Sequence, residues 1–87
     1  MPATTMATVE EVKECLLEAC PGADVSGVSE SDQVHRITGE VRWAGFEGML
    51  VQDRWGHIAR NVRDRLGARG LNIGVLYLLT PTEKLDD

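Results

Sequence analysis

The chain has 87 residues, of which 43% are hydrophobic and 26% charged, so it has room for one globular domain and does not have a disordered or collagen-like composition. Its formal net charge of -5 disfavours nonspecific binding of the whole protein to nucleic acid or anionic lipid. No apolar stretch approaches the roughly 20 residues that a membrane helix needs, and no basic start precedes an apolar block. We therefore expect a cytoplasmic protein without a membrane segment.

The first predicted element is a helix that follows an unpatterned lead, residues 1–7, which we expect to be flexible. Thr8 and Glu11 have the spacing of a capping box, and Pro21 would end the helix. Cys15 and Cys20 are five residues apart, so their side chains would diverge by about 140° around the helix axis. We expect two buried free thiols rather than a disulfide, a redox pair or a zinc site.

Two strands are predicted next. Residues 23–28 suggest a short strand anchored by Val25, and residues 29–33 have the polar composition of a loop. In residues 34–43 the apolar side chains Ile37, Val41 and Trp43 recur with a period of two, which is typical of a half-buried strand.

A turn at residues 44–48 leads into residues 49–51, and a long helix is predicted to follow and to run through Leu66. Its core-facing stripe would consist of Trp55, Ile58, Ala59, Val62 and Leu66. The almost continuously apolar residues 71–79 predict a last strand, covered on both faces and central in the sheet, and Thr80 and Pro81 would start a short C-terminal helical turn. The prediction is one α/β (α+β) domain over residues 1–87, in the order α-β-β-α-β, with a mixed three-stranded sheet covered by helices.

Arginines on the long helix are the best candidates for a binding surface. Arg54, Arg60 and Arg63, together with His57, would present a basic face to an acidic partner protein or to nucleic acid. The alternative is an ordinary solvated face, on which Arg60 pairs with Asp64. No nucleophile with a base and no carboxylate pair can be assembled from this chain, so we expect no enzymatic activity.

Several short motifs give the chain a resemblance to the BolA family. Phe46 and Gly48 precede an apolar, arginine-containing lead into the long helix, and the last strand runs into Thr80 and Pro81 before an acidic end. The similarity covers about residues 8–85. It implies a fold related to the class II KH arrangement, a non-enzymatic adaptor or regulatory role, and a monothiol glutaredoxin as partner, with which the family shares a [2Fe-2S] cluster.

The chain departs from the family at the positions that would hold that cluster. The usual ligand histidine at the start of the last strand falls on Asn72, and a second family histidine falls on Trp55. The second, more variable ligand of the family comes from the loop before the second strand, where His35 is the only residue able to serve, and one ligand does not hold a cluster. We therefore expect no bound cofactor or metal.

Two further functions remain open from the sequence. One is a KH-like nucleic-acid-binding module or transcriptional regulator that uses the arginine-rich helix and the turn between Gly45 and Gly48. The other is a structural subunit that forms homodimers through an uncovered strand edge.

Overall fold

The computed structural model describes residues 6–31 and 35–83. The first helix, α1, spans Val9–Ala19, and the predicted capping box is confirmed. The Glu11 N–H donates to Thr8 Oγ1 at 3.2 Å, and the Thr8 N–H donates to Glu11 Oε1 at 2.9 Å. These two bonds satisfy backbone donors that have no partner within the helix.

The sheet is mixed and has three strands, as predicted: β1 (Ser29–Glu30), β2 (Ile37–Arg42) and β3 (Ile73–Leu79). The order is β1-β2-β3, with β1 antiparallel and β3 parallel to β2. The predicted central position of the last strand is therefore wrong. The short connection keeps β1 beside β2, and the helical crossover brings β3 to the other side of β2, so β3 lies at an edge.

The first strand is not at residues 23–28, where it was predicted. That segment contains only an isolated bridge between Asp24 and Arg42. The Asp24 carboxylate accepts from the Ser26 N–H at 2.9 Å, which turns the chain, and pairing resumes at Ser29 and Glu30, where a loop was expected. Residues 32 and 33 of that predicted loop, and residue 34 of the predicted second strand, lie outside the described residues.

The second long helix, α2, spans Val51–Leu66 and joins β2 to β3. It packs against α1, and both helices share one core with the sheet. The inward positions of Ile37 and Val41 are confirmed, since both side chains are fully buried, and Ile58 of α2 is buried with them. The predicted α-β-β-α-β order and α/β class are confirmed.

Both ends of the described chain are held by hydrogen bonds. Ala7 was expected in a flexible lead, but it is buried: its N–H donates to the Arg69 carbonyl at 2.9 Å and its carbonyl accepts from Asn72 Nδ2 at 3.1 Å. Residues 1–5 lie outside the described residues. At the other end, Thr80 and Glu83 close a single turn, in which the Glu83 N–H lies 3.3 Å from the Thr80 carbonyl.

Cys15 and Cys20 are both buried and free, as expected. Neither described helix is long and apolar enough to cross a membrane.

Candidate functional site

Arg54 was expected on an exposed basic face, but the structure places it inside, with 5% of its surface accessible. Its guanidinium donates to the Leu78 carbonyl at 2.9 Å and, more weakly, to the Met49 carbonyl at 3.3 Å. It also forms a forked ion pair with the Glu83 carboxylate, with N–O distances of 2.6 and 3.1 Å. Arg54 therefore joins the start of α2 to β3 and to the turn that follows.

The fork with Arg54 fixes the charge state of the C-terminal turn. Hydrogen bonds from the guanidinium, together with one from the Thr80 N–H, lower the pKa of Glu83 from 4.5 to about 2. The same contact raises the pKa of Arg54. Both groups are therefore charged at neutral pH, and their charges largely cancel each other at this point of the surface.

Trp55 was predicted in the core, and that prediction is wrong. The neighbouring Arg54 occupies the inward position, because its guanidinium finds carbonyl and carboxylate acceptors there. Trp55, the next residue along the helix, therefore points outward and keeps 44% of its surface exposed. Ile58 and Leu66 of the predicted stripe are buried as expected.

His57 serves a contact within the protein, although it is exposed. Its Nε2 lies 2.9 Å from the Ala19 carbonyl at the end of α1, and its ring stacks on Trp43 with 5.2 Å between centroids. Arg60 and Arg63 are exposed and form no ion pair with any residue in 6–31 or 35–83, so the alternative pairing of Arg60 with Asp64 is absent there. Of the four predicted surface residues, these two arginines are free to meet a partner.

The two positions related to metal binding lie near one end of the sheet. His35 is exposed, two residues before Ile37, and its Nδ1 is 3.3 Å from the Glu30 carboxylate. Asn72 directly precedes Ile73, which pairs with Ile37. Asn72 donates to Ala7, while its Oδ1 is buried without a hydrogen-bond partner among the described residues. No group of three His, Cys, Asp or Glu side chains that could hold a metal occurs in the described part of the chain.

An apolar surface that the sequence reasoning missed lies beside β3. A pocket of about 420 Å³ opens between the start of α2 and β3. Trp55 and Tyr77 line it from the two sides and are 44% and 47% exposed. Val51, which also lines the pocket, and Val75, two residues before Tyr77 on β3, are exposed as well. The complete lining is Val51, Arg54, Trp55, Leu76, Tyr77, Leu78, Leu79 and Glu83. We call this pocket, together with the outer edge of β3, the edge surface.

The outer edge of β3 has backbone groups directed away from the sheet. The Leu79 carbonyl accepts from the Trp43 N–H at 2.9 Å, so the backbone of Leu79 faces the side of β2. Because backbone groups alternate along a strand, those of Leu76 and Leu78 point outward. The Leu78 carbonyl accordingly meets Arg54, whereas the amides of Leu76 and Leu78 have no described backbone partner outside the sheet.

Among the described residues, β3 is covered along its outer edge at the Leu78 carbonyl, which accepts from the Arg54 guanidinium, and it carries no other feature that usually protects an edge. Its sequence from Ile73 to Leu79 contains no charged residue and no proline. Natural proteins block exposed edges with such residues or cover them, because open backbone groups pair readily with another chain. In the sequence, Val75 and Tyr77 are two residues apart and therefore lie on one face of the strand. The interpretation of β3 as a central strand placed that face in the core, whereas the structure exposes it.

Comparison of the chain with protein-family models, with curated proteins and with solved structures found no match. Residues 6–31 and 35–83 form a small α/β domain in which β3 pairs with a strand on one side only, and the BolA-like assignment stays a prediction from the sequence.

Proposed function

We propose that this protein is a non-enzymatic adaptor or regulatory domain that binds a partner protein along the edge surface. The partner would add an extended segment to β3 and place one apolar side chain in the pocket. The observation that carries this proposal is an uncharged strand edge that continues directly into an apolar pocket. In this mode of recognition, backbone hydrogen bonds provide affinity and the side-chain pocket provides specificity.

The edge favours a polypeptide over a small molecule. A pocket of about 420 Å³ lies within the range that also accepts small ligands. However, the outward N–H and carbonyl of Leu76 and the outward N–H of Leu78 are spaced for another strand, while the Leu78 carbonyl keeps its bond to Arg54. Arg54 and Glu83, the charged groups in the pocket wall, already neutralise each other. The segment that fits best is therefore apolar and uncharged where it meets β3.

Nucleic-acid binding is the second candidate, because Arg60 and Arg63 are exposed without an ion pair in the described residues. The turn between Gly45 and Gly48 gives this candidate less support. Phe46 is fully buried and packs edge-on against Trp43, with 5.1 Å between ring centroids. This packing accounts for the turn without a nucleotide. A monothiol glutaredoxin stays the partner that the BolA resemblance implies.

The test begins with heptapeptides selected from a display library against the full-length protein, followed by calorimetry. We expect Tyr77→Glu to weaken the selected peptides at least about tenfold, since it places a charge in the apolar surface. The matched control is Arg60→Glu with Arg63→Glu, which changes exposed side chains elsewhere on α2 and should leave peptide affinity unchanged.

Failure to select any peptide, or equal affinities for the wild type and Tyr77→Glu, would contradict the proposal. An oligonucleotide that binds the wild type but not the double arginine variant would instead support the second candidate. For duplex DNA, its log affinity should fall with log salt at about -0.9 per phosphate contact.

A further inference from the structure

We propose that a second copy of this chain occupies the edge surface when no other partner is present, so that two β3 strands form an antiparallel pair around a two-fold axis. This inference rests on the proposed function, because it assigns an occupant to the same surface. It also implies that a partner segment and the second copy compete for β3.

Two-fold symmetry satisfies the open backbone groups of Leu76 without any other chain, and it leaves the Leu78 carbonyl with Arg54. With the axis at Leu76, the outward N–H of Leu76 in each copy donates to the Leu76 carbonyl of the other copy. This is a hydrogen-bonded pair of an antiparallel ladder. A self-complementary contact of this kind closes after two subunits and does not extend into a fibre.

The same register brings Val75 of one copy opposite Tyr77 of the other. These residues form a non-hydrogen-bonded pair, in which the Cα atoms approach to about 4.5 Å and the side chains touch. Both are exposed in the single chain, at 57% and 47%. The contact therefore covers apolar surface that is otherwise in water, and it places no charged side chain of β3 opposite another.

The available area indicates a weak dimer. Trp55 and Tyr77 are about half exposed, and a fully exposed aromatic side chain of this kind offers on the order of 150–250 Å². Each ring thus contributes about 70–120 Å², against roughly 800 Å² per partner in a standard interface. Two copies that each carry a net charge of -5 also repel each other. The dimer should therefore strengthen with salt, and a partner segment should displace it.

The register can be tested with two matched double variants by sedimentation equilibrium of the full chain over a hundredfold concentration range. Val75→Lys with Tyr77→Glu places opposite charges across the two-fold axis. Val75→Lys with Tyr77→Lys places like charges there. We expect the Lys–Glu variant to dimerise at least about tenfold more tightly than the Lys–Lys variant.

Net charge acts against this expectation, which makes the comparison sharper. The Lys–Lys variant gains two positive charges and changes from -5 to -3, whereas the Lys–Glu variant stays at -5. General repulsion alone would therefore favour dimers of the Lys–Lys variant. Equal dimerisation of the two variants, or stronger dimerisation of the Lys–Lys variant, would overturn the proposed register.

The proposed function and the dimer fail in different ways. A wild type that stays monomeric throughout, at low and high salt, but binds selected peptides at Tyr77 would overturn the dimer only. A wild type that dimerises through β3 but binds no peptide would overturn the partner-binding function only. Peptide that dissociates the wild-type dimer would support both.

Discussion

Replacing Trp55 and Phe46 by alanine compares an exposed aromatic residue with a buried one. Phe46 is fully buried, so Phe46→Ala should cost about 3–5 kcal/mol of unfolding free energy, because it leaves a cavity. Trp55 is 44% exposed, so the folded protein covers only about 80–140 Å² of it. At about 25 cal/mol per Å² this gives an upper bound near 2–3.5 kcal/mol. Alanine retains part of that contact and water fills the space, so we expect about 1–2 kcal/mol for Trp55→Ala.

Urea unfolding followed by far-UV circular dichroism measures both changes without using tryptophan fluorescence. With a slope of roughly 1 kcal/mol per M for a small domain, Trp55→Ala should lower the midpoint by about 1–2 M and Phe46→Ala by about 3 M or more. Trp55→Ala should also weaken partner peptides, because Trp55 lines the pocket. Equal midpoint shifts for the two variants would show that the rotation of α2 described above is wrong.

Three other predictions follow from the ion pairs, the thiols and Asn72. Glu11 and Glu83 have pKa values lowered from 4.5 to about 2, chiefly by hydrogen bonds from arginines, so the stability they add is complete above about pH 4.5 and is lost as the pH falls towards 2. Urea midpoints measured between pH 2 and pH 6 test this pH dependence, and a midpoint that does not change over that range would contradict it. Burial raises the pKa of Cys20 to about 11, so a thiol reagent at pH 8 should label Cys20 and Cys15 only after urea unfolding, and rapid labelling of the folded protein would refute their burial. The BolA resemblance predicts that reconstitution with a monothiol glutaredoxin gives no stable [2Fe-2S] absorption and that Asn72→His increases it, because Asn72 stands where the family has a ligand histidine. A stable cluster with the wild type would contradict this prediction.

Local patterns explain why part of the fold could be predicted from the sequence. The capping box at Thr8 and Glu11 depends on residues three positions apart. The alternation of apolar residues around Ile37 and Val41 reflects a single strand that turns one face to the core. Neither feature needs information from elsewhere in the chain.

Contacts between distant residues explain the predictions that failed. An arginine at the start of an amphipathic helix normally faces solvent, but Arg54 turns inward because Leu78 and Glu83, 24 and 29 residues away, supply acceptors. That rotation moves Trp55 outward. The apolar sequence of β3 was interpreted as burial on both faces, but its exposed face contributes to the edge surface, which only the strand order reveals.

The arginines of α2 show how one helix can combine structural and binding roles. Arg54 pairs with Glu83 and Arg65 pairs with Glu18, so these two connect α2 to other elements of the fold. Arg60 and Arg63 make no such connection within the described residues and leave positive charge exposed on an acidic protein. The neutral edge surface lies at the start of α2, and the exposed arginines lie further along the helix. Salt should therefore have opposite effects on binding at the edge surface and on binding at the arginines. Added salt should strengthen association along β3 and weaken any contact made through the arginines.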